Sequence, residues 1–329
     1  MKYKLLTIFL LPALAFAAVE QQPGFDLKKR KHKKQQPTPV PPPPPKPPAP
    51  KSHERKISHE ELEFCCKFKL HESLDQKIRR AKLHTSPFPH LVIENVFPQE
   101  FYAHACSLWP KQAVMKKRGE RGVLCPTASG AFDTELTDAE KTFWAHFSDV
   151  VVNRYIKPKV ADRLLPYINL IDGLESYDAR YFDKSTDLLN SRHDALISDT
   201  DHFNTKAHLD SANVMAKILI YMPSDKTHPE FGTALYSSKP AKSASSLKET
   251  IAQTSLGLAK MLPYKPNTLV VILRTPNSWH GVEKIVPITP EYERRIYASQ
   301  LSYSPEFMEE NMEENTLIPA DYYHHEMMD

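Results

Sequence analysis

Four residues of types that bind metal ions or carboxylates are spaced along the C-terminal half of this 329-residue chain. His208 and Asp210 are separated by one residue, His280 lies further along, and Arg294 follows it. Two imidazoles and one carboxylate can hold a divalent iron ion on one side and leave the other side open for co-substrate and oxygen. An arginine guanidinium can pair with a carboxylate through charge-assisted hydrogen bonds. The residue types therefore indicate a metal centre beside a site for an anionic ligand.

The His-x-Asp pair carries little weight by itself, because the chain has fifteen histidines and such a pair is expected roughly once by chance. The residues around the pair support the metal-site interpretation more strongly. In a strand, alternate residues share a face, so the side chains of His208 and Asp210 are predicted to project together. Four apolar runs typical of strands lie around the candidate residues, at 214–222, 231–236, 269–274 and 295–303.

This order of pieces resembles the 2-oxoglutarate and Fe(II)-dependent oxygenase superfamily, with a prolyl-hydroxylase-like double-stranded β-helix. The family pattern is a His-x-Asp pair, a second histidine and an arginine on the next strand. Here it is matched by His208, Asp210, His280 and Arg294, and the resemblance covers about residues 86–304. It implies an α+β fold whose core is a double-stranded β-helix, a jelly-roll or cupin-like barrel, backed by N-terminal helices.

The resemblance also implies a role for each residue. His208, Asp210 and His280 would be the catalytic metal ligands for Fe(II), and Arg294 would clamp the distal carboxylate of the co-substrate 2-oxoglutarate. Arg295 is the alternative in strand register, since adjacent strand residues point to opposite faces. The implied enzyme is a hydroxylating dioxygenase that acts through a ferryl species, with ascorbate as a candidate reductant. A non-catalytic, cupin-like metal-binding barrel or binding module is the alternative.

The substrate stays open. Small molecules and polypeptides are both compatible with an open barrel mouth, because a fold does not choose among substrates. No nucleic-acid-binding module is recognisable in the sequence.

The N-terminus has the composition of a targeting segment. Residues 1–18 combine Lys2 and Lys4 with the apolar run Leu5–Phe16 and then small residues, which predicts a cleaved signal peptide. Export to a periplasm or to the lumen of the secretory pathway follows. The basic block at 28–34 lies close behind the apolar run, and such blocks tend to stay cytoplasmic, so a membrane-anchored or cytoplasmic protein is the alternative.

Residues 19–57 are basic and proline-rich and predict a disordered linker. Residues 1–60 hold twelve Lys or Arg against four acidic residues, whereas the remainder holds 31 against 36. A basic tail therefore precedes a mildly acidic body, and the tail is expected to act as a spacer or to contact an anionic surface. The oxygenase domain is predicted over residues 58–310, followed by a flexible C-terminal tail over 311–329.

Helices are predicted ahead of the barrel. Ser58 and Glu61 fit a capping box that opens a helix to about Lys82. The apolar stripe of this helix is Leu62, Cys66, Leu70, Leu74 and Ile78. A strand over 90–96 and a helix over 99–109 follow, and Thr137 with Glu140 forms a second capping box for a helix through about 153. Residues 111–130 predict a mobile loop, 177–182 a strand and 183–201 an irregular insertion.

Other residues have weaker claims. His228 and Glu230 form a rival metal-binding pair in a proline turn. Lys217 and Tyr236 would either reach the co-substrate or line the barrel, and Trp279 is expected to pack in the core. The four cysteines lack the Cys-x-x-Cys spacing of a zinc site, and both disulfides and buried free thiols stay open.

Overall fold

The chain divides into two compact units, residues 1–49 and 50–329. The structure, a computed structural model, describes residues 63, 67–126, 136–168, 194–200, 202–211, 213–223, 228–239, 255–275, 277–283, 285 and 292–302. All of these lie in the second unit. The predicted signal peptide, linker, C-terminal tail and strand over 177–182 fall outside the described residues, and the domain boundaries stay predictions. None of the helices in the described ranges is long and apolar enough to cross a membrane.

Two antiparallel sheets form the centre of the second unit. Their strands are β1 (Leu83–His84), β2 (His90–Glu94), β3 (Lys116–Arg118), β4 (Arg121–Leu124), β5 (Ala195–Asp199), β6 (Thr205–His208), β7 (Val214–Tyr221), β8 (Thr233–Lys239), β9 (Ser255–Leu262), β10 (Thr268–Leu273), β11 (His280–Val282) and β12 (Arg294–Ser302). The larger sheet has the strand order β1-β2-β10-β7-β12-β5-β4-β3 and the smaller sheet the order β6-β11-β8-β9.

From β5 onward the chain passes back and forth between the sheets. Strands β5, β7, β10 and β12 belong to the larger sheet, and β6, β8, β9 and β11 belong to the smaller. This alternation fits the double-stranded β-helix that the sequence predicts. Strands β1 and β2 extend the larger sheet on one side and β3 and β4 on the other.

The period of two in each strand divides the core into two layers. On β12, Ile296 and Ala298 pack with residues of β7, β8, β9 and β10, which places them between the two sheets. Tyr297 and Leu301, on the opposite face of β12, pack with the helical layer. Side chains of β12 that are two residues apart from Ile296 or Ala298 therefore also point into the barrel.

The helices cover the outer face of the larger sheet. They are α1 (Leu70–Arg80), α2 (Gln99–Ser107), α3 (Asp138–His146) and α4 (Lys157–Ile168), with a π-helical stretch, Phe147–Ile156, between α3 and α4. Aromatic rings join this layer to the sheet, since the Phe147 ring lies 4.8 Å from the Tyr297 ring. In α1, Leu70, Leu74 and Ile78 are fully buried, as their spacing predicts. The Ser58 capping box and the first two stripe residues lie outside the described part of the chain.

A buried polar network also joins the helical layer to the sheet. The Asp194 carboxylate, just before β5, is fully buried and lies 3.4 Å from the equally buried ammonium of Lys157 on α4. It also accepts hydrogen bonds from the hydroxyls of Ser148 and Ser299 and from the Asn153 amide. Because each of these groups would be costly to bury alone, the network fixes the start of β5 against the helices.

Two predictions about irregular segments were wrong. Residues 116–124, within the predicted mobile loop, form the β3–β4 hairpin, which pairs with β5. Its outer strand, β3, is exposed to solvent, so a polar sequence is compatible with a regular strand there. Residues 195–199, within the predicted insertion, form strand β5, whose polar side chains Ser198 and Asp199 are fully buried. These side chains hydrogen-bond to distant residues, a contact that local periodicity does not reveal.

The capping box at the start of α3 is confirmed. The Thr137 side chain accepts a hydrogen bond from the Glu140 backbone N–H, and the Glu140 carboxylate accepts one from the Thr137 backbone. Thr137→Ala is expected to lower the free energy of unfolding by about 1 kcal/mol, because it removes this cap. Thr142→Ala, at an exposed position of the same helix, is the matched control. Equal urea midpoints for the two variants would contradict a capping role.

Candidate metal centre

The three candidate ligands lie together at one end of the smaller sheet. His208 is the last residue of β6 and pairs directly with His280, the first residue of β11. Asp210 lies two residues beyond β6, in the connection to β7. One ligand atom from each of the three side chains lies within 4.8 Å of the others, and this is the one such group of three among the described residues.

Backbone carbonyls orient both imidazoles. Nδ1 of His208 lies 2.9 Å from the carbonyl oxygen of Lys206, and Nδ1 of His280 lies 2.9 Å from that of Ser278. Since a carbonyl can only accept, both Nδ1 atoms carry a proton, and in the neutral imidazole Nε2 then keeps its lone pair. Nε2 of His280 lies 3.5 Å from Oδ2 of Asp210. This is the arrangement that metal-binding histidines have in proteins.

The charges around the triad favour the protonation state that metal binding needs. Burial by itself would raise the pKa of Asp210, but the surrounding basic groups outweigh it and lower the pKa below its ordinary value. These groups are His280 while it is protonated, Lys217, His208 and Arg274. Burial lowers the pKa of His280 below its ordinary value and outweighs the attraction of Asp210. A lowered pKa favours ionised Asp210 and neutral His280, and these are the forms that bind metal ions.

Two residues near the triad hold its backbone in place. The Arg274 side chain, at the end of β10, is buried and donates from Nε to the backbone carbonyl of Asp210 at 3.3 Å. A Cβ on Gly281 would lie 2.6 Å from the Thr205 carbonyl oxygen, so β11 and β6 can approach this closely only with glycine there. The sequence analysis did not identify Arg274 as a residue of the site. The available signal was a charged residue at the end of the apolar run 269–273. Trp279 is buried beside His280, as expected.

Arg294 and Arg295 point to opposite faces of β12. Arg294 is 1% exposed and shares the face of Ile296, between the two sheets. Its Nε donates to the carbonyl of Phe231, and its Nη1 donates to Oδ2 of Asp199 at 2.7 Å. Arg295 lies on the helical side, where its Nε donates to Glu293 at 2.6 Å. Of the two register alternatives, Arg294 is therefore the one inside the barrel.

Aromatic rings surround the Arg294 guanidinium. Its centre lies 5.5 Å from the Tyr264 ring and 6.0 Å from the Tyr221 ring. The Tyr221 hydroxyl donates to Oγ1 of Thr233 and so connects the two sheets. The cation thus lies in a buried site between aromatic rings, where a carboxylate would be bound more strongly than in water.

The weaker candidates divide between the interior and the surface. Lys217 shares the face of Leu219 and Tyr221 on β7 and so points into the barrel. The Tyr236 hydroxyl donates to the Glu283 carboxylate at 2.6 Å, at an exposed position. Nδ1 of His228 lies 3.0 Å from the Glu230 carboxylate, outside the group that could hold a metal ion.

The described cysteines and a cavity beside the helical layer lie away from the triad. Cys106 and Cys125 are free thiols, and the other two cysteines fall outside the described residues. A cavity of about 280 Å³ lies on the helical side of the larger sheet, and its lining includes Trp109, Glu293 and Arg295. It contains none of the candidate metal ligands.

Neither a protein-family model nor a curated protein matches the chain. Several solved structures resemble it. One is a prolyl hydroxylase from Trichoplax adhaerens in complex with a peptide fragment of the hypoxia-inducible factor oxygen degradation domain, with 9% identity over 73% of this chain and 92% of that chain and a TM-score of 0.36. A second is HygX from Streptomyces hygroscopicus with nickel and 2-oxoglutarate bound, with 13% identity over 74% and 86% of the two chains and a TM-score of 0.34.

A third is a 2OG-Fe(II) oxygenase family oxidoreductase from Burkholderia pseudomallei, with 11% identity over 70% of this chain and 89% of that chain and a TM-score of 0.32. The family that the sequence resembles recurs among these structures. Because every one of these TM-scores is below 0.5, the function proposed below rests on the geometry of the triad.

The donor set itself suits iron. Two neutral imidazoles and one carboxylate are the ligands of non-haem Fe(II) oxygenases, which need open positions on the metal for other ligands. The triad supplies three protein ligand atoms, all within 4.8 Å of one another. The residues present therefore fit an Fe(II) ion.

Proposed function

We propose that this chain is a 2-oxoglutarate and Fe(II)-dependent dioxygenase of the hydroxylase type. The observation that carries the proposal is the convergence of His208, Asp210 and His280, whose ligand atoms lie within 4.8 Å of one another. Both imidazoles are held with Nε2 available. Nε2 of the two histidines and the carboxylate of Asp210 would hold the iron.

Iron with 2-oxoglutarate and oxygen, when bound, supplies the oxidising power that a hydroxylation of a C–H bond requires. The chain's own residues prepare the site. The carbonyls of Lys206 and Ser278 keep the imidazole protons on Nδ1, so the ligands need no reorientation. Arg274 fixes the backbone that carries Asp210. Burial of His280 limits the access of water.

Arg294 is the group that would bind the distal carboxylate of 2-oxoglutarate. It lies inside the barrel with almost no exposure to water, so a charge-assisted hydrogen bond from it to a carboxylate is strong. A non-catalytic metal-binding barrel has no need of a buried cation on this face, which favours the enzyme over that alternative. The substrate, a small molecule or a polypeptide, the use of ascorbate as a reductant, and export all stay predictions.

Arg294→Ala tests this assignment, with Arg295→Ala as the matched control one residue along. We expect Arg294→Ala to weaken 2-oxoglutarate binding about 10- to 100-fold, because it removes a charged hydrogen-bond donor from a buried site. Arg295→Ala should change it less than about twofold. Calorimetry on the Mn(II)-loaded protein measures both without turnover, and unfolding curves check that each variant is folded. Unchanged binding by a folded Arg294→Ala protein would refute the role.

A further inference from the structure

One buried carboxylate is shared by two guanidinium groups. Asp199, the last residue of β5, is fully buried. Arg121 donates to it in a bidentate fashion, from Nε to Oδ1 at 2.5 Å and from Nη2 to Oδ2 at 3.0 Å. Arg294 donates to Oδ2 from the other side at 2.7 Å. The carboxylate is thus held in a fixed orientation between two cations.

The three residues form one row across three neighbouring strands. In the register of the larger sheet, Asp199 is the direct partner of Arg121 on β4 and of Arg294 on β12. Directly paired residues of adjacent strands project from the same face, so all three side chains belong to the face that looks into the barrel. Arg121 is also stacked on the Phe203 ring, with its guanidinium carbon 4.1 Å from the ring centre.

The charges in this row do not balance. Two guanidinium groups against one carboxylate leave a surplus of one positive charge. Glu293, the acidic residue next to Arg294 in the chain, does not offset it, because Glu293 pairs with Arg295 and with the Ser198 hydroxyl. Asp199 and Arg294 are buried, whereas the Arg121 side chain is 27% exposed, so water offsets part of the surplus charge. An anion at the buried end of the row would offset the remainder. One further carboxylate would bring the row to two positive and two negative charges.

Arg294 keeps donors for that carboxylate. A guanidinium has five N–H donors. Among the described residues, one is used by the Phe231 carbonyl and one by Asp199. Asp199 therefore orients Arg294 without using all of its hydrogen-bonding capacity.

We propose that Arg121 and Asp199 are positioning residues of the anion site, so that the row Arg121, Asp199 and Arg294 recognises the distal carboxylate of a dicarboxylate co-substrate. Asp199 sets the direction of the Arg294 guanidinium, and Arg121 supplies the surplus positive charge. The β3–β4 hairpin, which extends the larger sheet beyond the strands β5 to β12, thereby becomes part of the site. This inference rests on the proposed function.

Arg121→Gln in the full-length, Mn(II)-loaded chain tests the inference, with 2-oxoglutarate and 2-oxobutyrate as probes. The two keto acids share the metal-chelating end, but 2-oxobutyrate lacks the distal carboxylate. We expect 2-oxoglutarate to bind about five- to tenfold more weakly, because the row becomes neutral, and 2-oxobutyrate to bind as before. Lys117→Gln is the matched control, since Lys117 is exposed on β3 and pairs with Gly122, so its side chain belongs to the opposite face of the hairpin from Arg121. It should leave both affinities unchanged.

Arg121→Lys separates charge from packing. It keeps the positive charge, so 2-oxoglutarate should bind within about twofold of the wild type. Unchanged 2-oxoglutarate binding by Arg121→Gln, or equal weakening of both keto acids, would overturn the inference. If Arg121→Gln does not fold, Arg121→Lys decides alone: retention of the affinity ratio for the two keto acids supports the charge role, and its loss overturns it. A wild-type chain that binds Mn(II) but not 2-oxoglutarate would instead refute the proposed function, and the inference with it.

Discussion

Asp210→Ala is expected to lower the affinity for Mn(II) or Fe(II) at least about 100-fold and to abolish turnover of 2-oxoglutarate. Asp210 supplies the one negative charge of the triad, and its carboxylate lies 3.5 Å from the available nitrogen of His280. Without it, two neutral imidazoles remain, and a divalent cation loses both a ligand and most of the local charge compensation. Equilibrium dialysis with metal analysis measures the loss of binding directly.

Asp162→Ala is the control for this prediction, because Asp162 is an exposed carboxylate on α4. Its metal affinity and turnover should equal those of the wild type. Robust 2-oxoglutarate-dependent hydroxylation by Asp210→Ala would mean that the triad is not the catalytic metal site. Retained turnover with reduced metal affinity would lead to the same conclusion, since the carboxylate would then be dispensable for the reaction.

Asp194→Ala is expected to lower the free energy of unfolding by about 3–5 kcal/mol. The change removes the carboxylate that lies 3.4 Å from the fully buried Lys157 ammonium, and breaking one side of a buried pair costs this much. Burial already lowers the pKa of Lys157, so the variant is expected to lose the proton from that lysine as well. Urea denaturation followed by circular dichroism gives the free energy of unfolding.

Asp149→Ala is the matched control for Asp194→Ala. Its carboxylate lies 3.8 Å from Arg154 and is 42% exposed, so its removal should cost less than about 1 kcal/mol. The double variant Asp194→Ala with Lys157→Met should be more stable than Asp194→Ala alone, because no uncompensated charge remains buried. Equal losses for the Asp194 and Asp149 variants would show that the network contributes little.

The network matters for the candidate site because Asp194 directly precedes β5. That strand carries Asp199, the carboxylate that orients Arg294. A shift of β5 by one residue would turn Asp199 to the opposite face and remove it from the barrel. We therefore expect Asp194→Ala to weaken 2-oxoglutarate binding in addition to lowering stability.

The parts of the fold that could be predicted from sequence are those with a local signal. The apolar runs of β7, β10 and β12 lie within two residues of their predicted bounds. The stripe of α1 and the Thr137 capping box also depend on spacings within one element. The convergence of His208, Asp210 and His280 could be anticipated because a recognisable order of strands separates them.

The remaining features depend on contacts between distant segments. Strand β5 has buried polar residues, so its sequence resembles a loop until their partners are known. The row of Arg121, Asp199 and Arg294 depends on the register of three strands, and no spacing along the chain encodes that register. The choice of Arg294 over Arg295 required knowing which face of β12 looks into the barrel.

We propose that His208, Asp210 and His280 hold an iron ion that binds 2-oxoglutarate. Anaerobic titration of Fe(II) and then 2-oxoglutarate into the full-length chain, followed by visible absorption, tests it most directly, because a keto acid chelated to Fe(II) gives a weak charge-transfer band. We predict a band that saturates at one iron per chain, is absent in His208→Ala and is weaker in Arg294→Ala. A chain that binds Fe(II) tightly but develops no band with 2-oxoglutarate would contradict the claim and indicate a metal-binding barrel without oxygenase chemistry.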